Sequence, residues 1–130
     1  MAIRPVSEMV AEAKGRIESL SPEAAAEAAR GGALLVDVRD PRELEREGRI
    51  PGAFHAPRGM LEFWIDPASP YHKPALAAAP RLVLFCAASW RSALAADALC
   101  AMGAEGVAEI EGGFAAWRAA GLPVEGGREG

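Results

Sequence analysis

Cys86 is the residue whose neighbours best equip it for covalent chemistry. It follows the apolar run Leu82–Phe85 (LVLF) and precedes Ala87, Ala88, Ser89, Trp90 and Arg91, after which a helical pattern starts at once. Such a run reads as a buried parallel strand, and α/β folds gather their ligands at the carboxyl ends of those strands. Small loop residues let the backbone curl until successive N–H groups face inward, forming an anion nest. The helix N-terminus adds about half a positive charge, and Arg91 adds a permanent cation. Together these favour thiolate over thiol, giving a nucleophile with its own anion hole. A cysteine at a strand end is otherwise only a small buried hydrophobe; the loop, Arg91 and the helix shift the reading toward chemistry. Cys100 lacks that setting and reads as a packing residue in mid-helix.

The remaining elements must hold this loop in place. The spacing predicts a helix over about Glu8–Gly15, capped by Ser7, with Val6, Met9, Val10, Ala13 and Ile17 on one face. Ser21-Pro22-Glu23 starts a second helix with Ala24, Ala25, Ala28 and Ala29 as its packing face, stopped by Gly31-Gly32. Ala33–Val38 reads as a buried strand, Arg42–Glu47 as a short charged helix ended by Gly48, and Phe54 as part of a brief strand. Gly59–Ile65 is a possible helix before a proline-punctuated loop. A helix over about Arg91–Met102, with Leu94, Ala98, Leu99 and Met102 inward, leads to a strand at Val107–Ile110. Gly112-Gly113 turns into a last helix over about Phe114–Ala120. Strands alternating with helices predict an α/β domain with a mainly parallel sheet.

Composition bounds the function. The chain has 130 residues, 51% hydrophobic and 25% charged, which suits one compact domain. Fourteen basic against 18 acidic residues leave a net charge of −4, so no global cationic field favours nucleic acid or anionic membranes. Two cysteines make neither a disulfide scaffold nor a four-cysteine zinc module, and His55 and His72 lack metal-ligand spacing. No cofactor or metal is expected. The first fifteen residues make a poor signal peptide and no segment is long and apolar enough to span a bilayer, so the expected location is cytoplasmic.

Four segments in order resemble the rhodanese-like sulfurtransferases: LLVDVRDP at 34–41, GRIPGAFHAP at 48–57, LVLFCAASWRSALAA at 82–96 and EGGFAAWRAAGLPV at 111–124. The resemblance runs from about Ile17 to Val124. It implies a three-layer α/β fold with a central, mainly parallel five-stranded sheet flanked by helices. The rhodanese-like domain then spans 16–124, with an N-terminal amphipathic helix over 1–15 and a flexible tail over 125–130 outside the resemblance. By resemblance Cys86 takes sulfane sulfur from a small anionic donor such as thiosulfate and passes it from a persulfide to cyanide, a thiol or an acceptor protein. The N–H groups of Ala87 to Arg91 would hold the persulfide, and the Arg91 side chain the donor. Asp37 and Arg39 look like a structural pair behind the site, while Arg58 either helps draw anions or is a solvated surface arginine. Trp90 walls the pocket or packs. Many family members have glycine where Ser89 stands; a serine there demands an ordinary backbone angle. Two other readings stay open. One is a noncatalytic or weakly catalytic sulfur carrier that binds a partner. The other is a cysteine phosphatase or arsenate reductase, although the related phosphatases carry one loop residue more.

Overall fold

The computed structural model describes residues 1–128. Five strands form one all-parallel sheet in the order β1-β5-β4-β2-β3: β1 Glu18–Leu20, β2 Leu34–Asp37, β3 Phe54–His55, β4 Leu82–Phe85 and β5 Ala108–Ile110. Seven α-helices connect and cover them: α1 Val6–Arg16, α2 Pro22–Arg30, α3 Pro41–Glu47, α4 Leu61–Ile65, α5 Pro74–Ala78, α6 Arg91–Ala101 and α7 Gly113–Ala119. Alternation along the buried strands divides the core in two. Val36, Leu82, Leu84 and Cys86 pack beneath Leu61, Leu76, Ala96 and Leu99 from α4, α5 and α6. Leu35, Val83, Phe85 and Ile110 pack beneath Ala25, Ala26, Phe114 and Trp117 from α2 and α7. This is the expected three-layer arrangement of a sheet between helices.

The strand order explains where a site can form. After β2 the chain moves outward to β3, whereas after β4 it moves the other way to β5. The two connections diverge, leaving a crevice at the carboxyl ends of β2 and β4, where an open parallel sheet binds ligands. The register sets Asp37 beside Phe85 there, so Cys86 enters the crevice as the next residue.

The helices depart from expectation where packing overrode periodicity. α1 has no side-chain cap from Ser7; Val10 and Ala13 pack on Ala93 of α6, while Val6 and Met9 stay exposed. α2 does carry the Ser21 cap, accepting from the Ala24 N–H at 3.1 Å, but it buries Ala25 and Ala26 and leaves Ala24 exposed. In α6, Met102 is exposed and the inward set is Ser92, Ala93, Ala95, Ala96 and Leu99. The edge strand β1 and the short helix α5 were not expected from the residues.

Residues 125–128, expected to fray, are tied to the domain. Arg49 and Glu125 exchange backbone hydrogen bonds of 2.8 and 2.9 Å, and the Arg128 N–H reaches the Arg46 carbonyl at 3.2 Å. A Cβ on Gly48 would lie 2.8 Å from the Glu125 carbonyl oxygen, so the glycine permits this approach. The rest of the expected tail, 129–130, lies outside the described residues. No helix among the described residues is long and apolar enough to cross a membrane.

Asp37 and Arg39 form the buried pair expected of them. Arg39 is fully buried and clamps Asp37 through Nε at 3.0 Å and Nη2 at 2.8 Å, while Nη2 also donates to the Gly48 carbonyl at 2.9 Å. Its guanidinium carbon lies 4.1 Å from the Phe114 ring centroid, joining the end of α3 to the start of α7. Arg39→Met would strand a buried carboxylate, and removing one partner of such a pair costs about 3–5 kcal/mol. Urea unfolding should show that loss, with much of it recovered in Asp37→Leu/Arg39→Met.

Candidate active site

β4 is buried at all four positions and delivers Cys86 to the sheet edge with 1% exposure. The loop after it is held from two sides. On one side its carbonyls turn outward: Cys86 O accepts from the Phe114 N–H at 2.8 Å and Ala87 O from the Ala115 N–H at 3.2 Å. These carbonyls satisfy first-turn donors of α7 that have no partner in their own helix. On the other side the N–H groups turn inward, and those of Ser89 and Ser92 donate to Cys86 Sγ at 3.2 and 3.4 Å. The Cys86 thiol donates to Ser92 Oγ at 3.5 Å. Burial pushes the Cys86 thiol up. The hydrogen bond with the Ser92 side chain and those from the backbone N–H groups of Ser92, Ala88 and Ser89 outweigh it, so the thiol lies below its ordinary range.

Gly113 makes the close approach of α7 possible. A Cβ at that position would lie 2.5 Å from the Cys86 carbonyl oxygen and 2.8 Å from Ala87 O, and φ there is +61°. The Gly112-Gly113 pair, read from sequence as turn chemistry, therefore also sets the distance between α7 and the loop.

One expectation about the loop needs correction. Ser89 has φ +80°, the single positive value at a non-glycine among the described residues, rather than an ordinary angle. Its hydroxyl points away from the anion nest and donates to Glu109 Oε1 in a short hydrogen bond. Arg91 is paired: its Nη1 and Nη2 donate to Glu43 at 2.7 and 2.9 Å. Bonding to Glu43 raises the Arg91 pKa most, and the charge of Cys86 raises it further, which places the guanidinium within electrostatic reach of the sulfur. Glu43 is correspondingly held below its usual range, first by that hydrogen bond. Arg58 donates to Glu62 at 2.6 Å. Trp90 lies outside the core, exposed at the helix start.

The other residues singled out by sequence fall outside the loop. Cys100 is partly buried on α6, packed against the core near Leu99. His55 Nε2 lies 2.7 Å from the Arg39 carbonyl and His72 Nδ1 lies 3.0 Å from the Trp64 carbonyl. An apolar groove of about 360 Å3, bordered by Ile65, Leu76, Leu82 and Val107, lies at the opposite end of β4 and shares no residue with the Cys86 loop.

Sequence reading missed four contributors. Glu43 looked like one more charge on a charged helix, but it closes a capping box with Asp40 and binds Arg91 as well. Ser92 looked like an ordinary helix residue, and Gly113 like a turn residue only. Glu109 is the plainest omission, because a carboxylate inside the apolar run Val107–Ile110 is itself a signal. It is fully buried, and it accepts from Ser92 Oγ at 3.1 Å as well as from Ser89.

Comparison with known proteins bears on what this arrangement does. The model of the rhodanese-like domain matches residues 21–120. A protein of unknown function from Rhodopseudomonas palustris, described as a possible tyrosine phosphatase, is 48% identical in sequence. It superposes with a TM-score of 0.91 over 96% of this chain and 97% of that one. The polysulfide-sulfur transferase homodimer of Wolinella succinogenes is 32% identical, with a TM-score of 0.72 over 93% of this chain and 87% of that one. A thiosulfate sulfurtransferase from Pseudomonas aeruginosa is 28% identical at a TM-score of 0.70, matching 85% of this chain but 20% of that one. An uncharacterized protein from Synechocystis is 39% identical over 91 residues, which make up 70% of this chain and 46% of the cyanobacterial protein. The chain thus spans about half the length of that curated relative.

The inward N–H groups make two expected outcomes measurable. Alkylation of Cys86 by iodoacetamide, followed by peptide mass spectrometry, should rise at lower pH in the folded protein than in urea, where the nest is gone. Gly113→Ala should lower thermal stability and move the Cys86 profile back toward that of the unfolded chain.

Proposed function

The chain belongs to the rhodanese-like domain family, and we propose that it is a sulfurtransferase working through a persulfide on Cys86. The observation that carries this reading is the convergence of N–H donors on a buried, acidified sulfur at the crevice between β2 and β4. Donors placed around a reacting atom stabilise negative charge without having to reorganise.

The Cys86 thiolate attacks the outer sulfur of thiosulfate or a related sulfane donor, forming a sulfur–sulfur bond. The donor's own sulfur–sulfur bond breaks, and its electron pair leaves with sulfite when thiosulfate is the donor. The persulfide carries its negative charge outward along the loop axis, into the ring of Ala88, Ser89 and neighbouring N–H groups. A second nucleophile, cyanide or a thiol, then attacks the terminal sulfur, and the electron pair of the broken bond returns to Cys86 as thiolate. No proton donor is needed for a leaving alkoxide, and the loop contains none.

The phosphatase reading rests on a specific likeness, the Rhodopseudomonas protein. Two features favour sulfur over phosphoryl transfer. Cys86 through Arg91 is six residues, one fewer than in the related phosphatases of this fold. Arg91 also spends its planar fork on Glu43, so its bidentate face is not offered to a phosphoryl group. Sulfur donors with a protein acceptor remain compatible with the same nest.

Intact mass after thiosulfate treatment decides between these readings. Wild type should gain one sulfur, removable by reductant, and Cys86→Ser should gain none. Turnover of an aryl phosphate without any sulfur adduct would overturn the assignment. Glu43→Gln tests the paired guanidinium separately. Loosening a partly exposed ion pair worth about 1 kcal/mol should free Arg91 for the anionic donor and lower the thiosulfate KM about fivefold at similar kcat.

A further inference from the structure

Glu109 is a buried acid with no cation. Asp37, equally buried, has Arg39, but Glu109 Oε1 meets only the hydroxyls of Ser89 and Ser92, and Oε2 has no hydrogen-bond partner among the described residues. Burying a carboxylate in that way is costly unless something offsets its charge. Glu109 also lies at the end of an unbroken chain. The Cys86 thiol donates to Ser92 Oγ at 3.5 Å, and Ser92 Oγ donates to Glu109 Oε1 at 3.1 Å.

Ser92 owns a single hydroxyl proton, so the chain has two consistent settings. In one, the thiol donates to Ser92 and Ser92 donates to the carboxylate. In the other, a protonated Glu109 donates to Ser92 and Ser92 donates to a thiolate. Passing from the first to the second breaks the Cys86 S–H bond and forms a bond from that proton to Ser92 Oγ. The original Ser92 proton moves to Glu109 Oε1. No heavy atom moves, and the buried trio keeps one negative charge throughout.

We propose that Glu109 is a positioning residue that stores the proton of Cys86 through Ser92, so that the thiolate forms without placing two negative charges in the same buried site. The proposal rests on the reading of Cys86 as the nucleophile. It also explains why Ser89 tolerates a left-handed backbone: its hydroxyl is anchored to the same carboxyl oxygen while its N–H faces Sγ. The charged groups on the packed elements are otherwise engaged. Arg91 at the start of α6 holds Glu43 but also faces the charge of Cys86, and Asp97 farther along α6 holds Arg16 of α1 at 2.7 Å. Arg4, before α1, pairs with Glu8 and Glu12 of that helix, and among the described residues Lys14 of α1 forms no ion pair with Glu109. Glu18 of β1 pairs with Arg81, and Glu111 after β5 is exposed.

Two coupled groups sharing a proton titrate together, and in the one-proton state the thiolate fraction is independent of pH. Wild type should therefore show two steps in thiolate absorbance and in Cys86 alkylation, separated by a plateau of more than about one pH unit. Glu109→Gln, which cannot store the proton, should show one step. Infrared spectra of the wild type at neutral pH should carry a carboxylic-acid carbonyl band that Glu109→Gln loses. A single step in wild type, or no such band, overturns the proposal. If Glu109→Gln does not fold, the wild-type titration and spectra decide alone. None of these measurements uses a sulfur donor, so a missing persulfide adduct and a missing relay are separate results.

Discussion

The peptide groups around Cys86 face two ways, and the rest of the structure depends on that division. Carbonyls of Cys86 and Ala87 point toward α7 and accept its first N–H groups, which frees the neighbouring N–H groups to point at the sulfur. A loop this short cannot satisfy both sets from within. It needs a helix start at one side to receive its carbonyls, and an anion at the centre to receive its donors. Gly113 is the residue that lets the helix come close enough, while Arg39, stacked on Phe114 and clamped to Asp37, fixes the angle at which α7 arrives. Elements far apart in sequence are thus joined to a single local requirement.

The electrostatics follow the same economy. Each of the three arginines that sequence placed near the site is already paired: Arg39 with Asp37, Arg58 with Glu62 and Arg91 with Glu43. Positive potential at the sulfur therefore comes mainly from fixed N–H dipoles and the start of α6. Fixed dipoles suit an anion at the centre of the loop, because they need not reorganise around it. The acidic balance of the whole chain does not oppose such a site, because its field is set within one turn of backbone.

What was legible in the sequence was whatever depends on neighbours along the chain. The run LVLF followed by small residues and a helix pattern located Cys86; Ser21-Pro22 and Asp40-Pro41 marked helix starts that the caps bear out. Pairings across the fold were not legible. Nothing local to Arg91 says that Glu43, 48 residues away, takes its charge. Nothing near Glu125 says that Arg49 holds it by backbone pairing. Glu109 is the intermediate case. A carboxylate in a buried strand is visible as an anomaly, but its partners come from the loop and from α6, and only strand order places them over it. Ser89 shows the same limit for the backbone. Its left-handed angle violates the residue's own preference and is held by a tertiary hydrogen bond.

Similarity alone does not choose the chemistry, since a likeness to a possible phosphatase and a likeness to sulfur transferases both coincide with the same strand, loop and helix. The loop's size and its charges do bear on the choice. A phosphoryl group presents several oxygens, and its transfer benefits from a guanidinium that grips two of them at once. A persulfide presents one polarizable atom carrying one negative charge. Donors converging on a narrow axis suit the second, particularly when Arg91 is turned aside by Glu43.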